Sequence, residues 1–166
     1  MIPSVTRLAV PSPSDDRFSG KLKVIGIYLI LIAAGNFIWE VLQLPLYTIW
    51  TTSSTPELAF AVVHCTAGDV LIALASLLAA LVVVRTPAWP LKRQVRVAII
   101  TIIFGMAYTI VSEWLNVEVR GSWAYSRAMP VIPLGFFSPG LSPVLQWLIV
   151  PVVAFWTSYR RSRAPG

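Results

Sequence analysis

The sequence predicts an all-α integral membrane bundle of four transmembrane helices, with a long structured outer loop between the third and the fourth. Three observations predict it. Of the 166 residues, 57% are hydrophobic and 12% charged, about half the charge of a soluble domain at roughly 25%, and the mean hydropathy is +0.75. Four apolar runs are each long enough to cross a hydrocarbon core, which takes about 20 helical residues. The Lys and Arg residues fall in alternate connections between those runs. The length allows one bundle and no second domain, and the single cysteine, Cys65, excludes an intramolecular disulfide.

Residues 1–21 carry Pro3, Pro11, Pro13, several serines, Asp15 and Asp16 without sustained apolar periodicity; they are expected to form a flexible cytoplasmic leader. The first span covers about 22–47. It is apolar from Leu22 to Ala34, and then Asn36, Glu40, Gln43 and Tyr47 follow at spacings of four, three and four. On a helix these four share one face, and a polar stripe in a membrane helix has to face protein or a cavity, not lipid. Pro45 is expected to loosen the last turn. The second span covers about 57–84: His64, Cys65, Thr66, Gly68 and Asp69 lie in its first half, and the second half is purely apolar. Pro87 and Pro90 mark a sharp turn. The third span covers about 93–116, with Tyr108, Thr109, Ser112 and Glu113 only towards its end. The stretch 117–141 is too long for a turn. It holds Trp123, Tyr125, Pro130, Pro133, Pro139 and Gly140, and a loop of that length is expected to cap a site. The fourth span covers about 142–159, with Gln146 in its first turns and Pro151 at its middle, where a kink is expected. The tail 161–166 is basic.

Orientation follows from the basic residues. Of 13 Lys and Arg, four precede or open the first span, four lie between the second and third, three follow the fourth, and only Arg120 and Arg127 lie in the 117–141 loop. The positive-inside rule then places both termini in the cytoplasm of a membrane crossed four times. The net charge of +6 therefore serves topology and anionic lipid, and no nucleic acid is expected. Membrane lipid is the expected partner, together with a larger membrane protein or a second copy of the chain.

With that topology the polar residues converge. Glu40 lies seven residues before the outer end of the first span and His64 seven residues into the second, both ~10 Å deep at 1.5 Å per residue. Glu113 falls in the last turn of the third span and Gln146 about one turn into the fourth. Asp69 lies deeper, ~18 Å from the outer end. It shares a face with Cys65, while His64 is offset from that face by about 100°. An unpaired carboxylate at that depth costs several kcal/mol, so Asp69 is expected to be protonated or hydrogen-bonded.

Three functions fit this equipment. In the first, Glu40, His64 and Glu113 supply general acid and base to a lipid-like substrate; Asn36, Gln43, Asp69, Trp123, Tyr125 and Gln146 bind it, and hydration, isomerisation or cyclisation of an isoprenoid would suit. In the second, the cluster only fixes helix packing in a binding or accessory subunit, polar bonds between membrane helices being common at ~0.6 kcal/mol each. Gly26, Gly35, Gly68 and Gly105 would then permit close contacts. In the third, two glutamates and a histidine hold zinc or iron. No HxxxH, ExxH or CxxC spacing supports this, so neither metal nor other cofactor is expected. Each residue also has a packing reading: His64 as a packing side chain, Glu113 as a solvated helix end, and Trp39, Trp50, Trp114, Trp123 and Trp147 as an interfacial belt.

The runs WEVLQLPLY, HCTAGDVLI, EWLNVEVRGSWAYSRAMPVIP and GLSPVLQW resemble segments of a family of small four-helix bacterial membrane proteins without known activity. The resemblance covers most of the chain from Asn36 to Trp147; it implies that the outer-side segments act as one unit and that the membrane is a bacterial inner membrane. It implies no substrate and no catalytic residue.

Overall fold

The computed structural model describes residues 13–163, with side chains described over 19–161; residues 1–12 of the expected leader and 164–166 of the expected tail lie outside the described residues. Five helices follow in order: α1 (Pro13–Gln43), the one-turn α2 (Ile49–Thr52), α3 (Thr55–Val84), α4 (Gln94–Trp114) and α5 (Leu141–Arg163). Four of them supply stretches long and apolar enough to cross a membrane, Ser19–Leu46, Thr55–Val84, Gln94–Val119 and Leu141–Arg161. The protein is an all-α, multi-pass membrane bundle.

Helix α1 starts well before Leu22, inside the segment expected to be flexible. Pro13 at its first position and Asp15 and Asp16 in its first turn suit a helix start. At its other end Pro45 converts the last turn into a 3-10 turn, Leu44–Leu46, as a residue without an N–H should. Ser54 opens α3 with a capping box: its backbone N–H and its hydroxyl both donate to Glu57 Oε2, at 2.7 and 2.8 Å. Helix α4 ends in a π-helical turn, Leu115–Val119, where the Arg120 N–H donates to the Leu115 carbonyl at 2.8 Å.

The helices pack as a ring: α1 on α3, α3 on α4, α4 on α5 and α5 on α1. Helix α5 is the most enclosed. Half of its membrane window is buried inside the protein, against 22%, 28% and 22% for the other three.

The buried faces are stripes at four-residue spacing. On α1 the stripe runs Val24, Tyr28, Ile32, Asn36, Glu40; on α4 it runs Val97, Thr101, Gly105, Thr109, Glu113. Both are mainly apolar at the end carrying the α3–α4 turn and become polar at the opposite end. Ala73, Leu77, Ala80 and Val84 from α3 and Val150, Ala154 and Phe155 from α5 complete the apolar half. Tyr28 stacks on Phe155 there, with ring centroids 4.3 Å apart.

Two of the four glycines expected at close contacts are found there. A Cβ on Gly105 would lie 2.1 Å from Trp147 Cζ3, and one on Gly35 would lie 2.7 Å from Val150 Cγ1. Gly26 and Gly68 face open space, so the expected close approach fails at those two positions. Trp147 is 2% exposed; it is a core residue and not part of an interfacial belt. Trp50 and Trp114 are exposed as the belt requires.

Candidate functional site

The polar ends of the stripes meet at the end of the bundle that carries the long loop. Gln146 on α5 is the hub. Its Nε2 lies 2.9 Å from Asn36 Oδ1, 3.0 Å from Glu40 Oε1 and 3.0 Å from Asp69 Oδ2, and its Oε1 accepts from Gln43 Nε2 at 3.4 Å. Asn36, Glu40 and Gln43 come from α1 because the 36–40–43 spacing stacks them on one face. Asp69 comes from α3, diagonally across the ring. One amide thus ties three helices together at the bundle axis. The chain continues outward through Ser142, four residues before Gln146 and on the same face: its hydroxyl donates to Gln43 Oε1 at 2.8 Å and accepts from Trp39 Nε1 at 3.0 Å. The Trp147 indole approaches Asp69 from the side.

A second centre sits against the first. Glu113, at the end of α4, is buried, which rules out a solvated helix end. Its Oε2 accepts from the Tyr125 hydroxyl. That hydroxyl in turn accepts from the Gly140 N–H at 2.9 Å, so one phenol joins the end of α4 to two points of the long loop. The loop is also stitched to the end of α1: Thr48 N–H donates to the Ala124 carbonyl and Ser126 N–H to the Leu46 carbonyl, each at 2.9 Å, forming an antiparallel bridge between Tyr47 and Tyr125. The rings of these two tyrosines lie 5.7 Å apart. Burial, and then the neighbouring Glu113, push both phenols above their ordinary value. Both remain neutral donors through the physiological range. Trp123 Nε1 is buried near Glu113 without meeting hydrogen-bond geometry.

The two centres are one electrostatic unit, since Glu40 lies within reach of both Asp69 and Glu113. Among the described residues, the groups acting on the three carboxyls are carboxyls, amides, indoles and a phenol, with no Lys or Arg. Cys65, one turn from Asp69, is half-buried beside them.

Of the residues singled out by sequence, Asn36, Glu40, Gln43, Asp69 and Gln146 form the hub, and Glu113, Tyr125 and Trp123 form the adjoining centre. His64 belongs to neither. It is exposed and stacks on Phe60 of its own helix, with ring centroids 5.5 Å apart. The 100° offset from Asp69 turns it away from the cluster, so Asp69 takes its place as the polar group from α3. Ser142 is an addition to that set, and Trp39, expected in the interfacial belt, instead bonds to it. The i, i+4 relation of Ser142 to Gln146 was the available signal. Among the described residues, no group of three or more His, Cys, Asp and Glu side chains is arranged to hold a metal ion.

A groove of about 560 Å³ lies between α3 and α4 and is lined by Leu71, Ile72, Ala75, Ser76, Ala79, Phe104 and Tyr108. No cluster residue lines it, but Ile72 is one helical turn from Asp69. Comparison with known protein families, with curated proteins and with solved structures gave no match in any of the three.

Proposed function

We propose that the polar cluster is an acid–base site for a lipid-like molecule, with an isoprenoid as the substrate class that suits it best. One observation carries the reading: Glu40, Asp69 and Glu113, from three different helices, converge in a membrane bundle without a basic partner among the described residues. Neutral amides would fasten the helices at far lower desolvation cost, and ionisable groups at membrane depth mark functional sites by default. Hydrogen counting supports an acid role. The Gln146 amide has two N–H bonds, and its nitrogen faces three oxygens. A proton on Glu40 or Asp69 relieves that deficit and is then available for transfer to a substrate double bond or oxygen. The apolar groove beginning one turn below Asp69 suits a hydrocarbon chain. In this reading Glu40 and Asp69 are the acid–base pair, Glu113 with Tyr125 closes the loop side, and the loop faces the outside of a bacterial inner membrane.

Isosteric replacement tests it. Cells carrying Glu40→Gln are expected to match a deletion strain in their isoprenoid and phospholipid composition. A Glu40→Gln strain identical to wild type, beside a deletion strain that differs, contradicts the proposal. A second reading, an accessory subunit with a purely structural cluster, is favoured by the run of amide and hydroxyl bonds from Trp39 through Ser142 and Gln43 to Gln146. It predicts that Glu40→Gln leaves lipids unchanged and that the protein co-purifies with a larger membrane protein.

A further inference from the structure

The opposite end of the bundle carries a groove unrelated to the carboxyl cluster. It has a volume of about 480 Å³ and is lined by Leu78, Leu81, Val82, Arg85, Thr86 and Pro87. Helix α3 ends at Val84, and Arg85 closes it in the left-handed region at φ 48°. The groove therefore runs from hydrocarbon depth to the interface, because Leu78 lies seven residues, about 10 Å, inside Arg85 along the helix. Its apolar wall is open to lipid, with Leu78 and Val82 both exposed.

The turn that forms the groove's end is held in place. Trp89 is buried and its Nε1 donates to the Tyr159 hydroxyl of α5 at 3.1 Å. Arg93 Nη1 donates to the Val84 carbonyl at 3.2 Å, which covers one of the free carbonyls at the end of α3. The Arg85 guanidinium and the Thr86 hydroxyl, in contrast, make no hydrogen bond or ion pair among the described residues. No Asp or Glu occurs between Asp69 and Glu113 in the sequence, whereas Lys92, Arg93 and Arg96 follow Arg85 on the same connection. An apolar groove that ends at an unengaged guanidinium and hydroxyl, on a connection with four basic residues and no carboxylate, matches one chemistry. We propose that it binds an anionic phospholipid, with an acyl chain along Leu78, Leu81 and Val82 and the phosphate on Arg85 and Thr86. Guanidinium offers phosphate two parallel N–H bonds, and the basic connection disfavours exchange for a zwitterionic lipid.

The test uses the full chain in nanodiscs of phosphatidylcholine with a minor fraction of phosphatidylglycerol, followed by gentle release and native mass spectrometry. The wild type is expected to retain one phosphatidylglycerol in preference to phosphatidylcholine. Arg85→Gln is expected to lower that occupancy about fivefold, the factor given by ~1 kcal/mol for one basic residue at a membrane surface. Val82→Trp, which fills the groove without touching charge, is expected to lower it too, and serves alone if Arg85→Gln does not fold. Arg161→Ala, near the end of α5 at the same end of the bundle, should leave it unchanged. Equal retention of the two lipids, or equal losses in Arg85→Gln and Arg161→Ala, would overturn the proposal in favour of a diffuse field, as would full retention in Val82→Trp.

Discussion

Gln146 concentrates more of the structure than any other side chain, since its amide meets Asn36, Glu40 and Asp69 on one side and Gln43 on the other. Interhelical hydrogen bonds in membranes are worth only ~0.6 kcal/mol on average, but three oxygens stranded together cost more than that average. Gln146→Leu should therefore destabilise the bundle by about 1–3 kcal/mol, read as a lower midpoint in a detergent-unfolding titration. Gln146→Glu would add a fourth carboxyl and should cost more than leucine. At the loop, Tyr125 and Tyr47 have phenols raised above the ordinary value of about 10. A group with a raised folded value contributes stability that is complete below its unfolded value and is lost as pH rises through the folded one. Limited proteolysis within 120–140 should therefore be flat around neutrality and accelerate only above pH of about 10. Tyr125→Phe, which loses the bonds to Glu113 and Gly140, should be cleaved faster at neutral pH and show a weaker alkaline rise.

Among the elements, the α4–α5 contact depends on a glycine. With Trp147 Cζ3 placed 2.1 Å from a Cβ on Gly105, Gly105→Ala must displace a buried indole, and overpacking of this kind costs about 1–3 kcal/mol. A Trp147→Leu change in the same chain should recover part of the loss. Gly26→Ala meets nothing and should be neutral or stabilising by up to about 1 kcal/mol, the helix-propensity difference. Comparing the thermal midpoints of Gly105→Ala and Gly26→Ala checks both. The two glycines look alike in sequence, and only the stripe 97–101–105–109–113 separates them, because it puts Gly105 on the buried face of α4. The spans and the 36–40–43 face were legible for the same reason: a polar group in an apolar run leaves a period, and a period fixes a face. Which α3 residue joins was half legible, because helical geometry set His64 apart from Asp69 but not which of the two points inward. The hub role of Gln146 was hidden, since nothing local to α5 announces three partners more than 70 residues away in sequence. The helical start at Pro13 was hidden by three prolines and a polar composition that read as a leader.

For the whole molecule, the ring α1–α3–α4–α5 places the carboxyl cluster and the basic α3–α4 turn at opposite ends. The four long helices put the start of α1 and the end of α5 at the end of the bundle that carries the basic turn. The positive-inside rule predicts that this side is cytoplasmic; a reporter that works only in the cytoplasm is then expected to be active when fused after Gly166 and silent when inserted near Phe136, which is exposed in the long loop. The reverse pattern would place the carboxyls in the inner leaflet. The central claim, that the three carboxyls serve a lipid-like ligand, is tested most directly by native mass spectrometry of the protein released gently from its own membrane. A reproducible adduct of lipid mass, present in the wild type and lost in Glu40→Gln with the chain still folded, is the predicted result. A bare chain in both, or the same adduct retained in both, would contradict it and leave the cluster as a helix fastening.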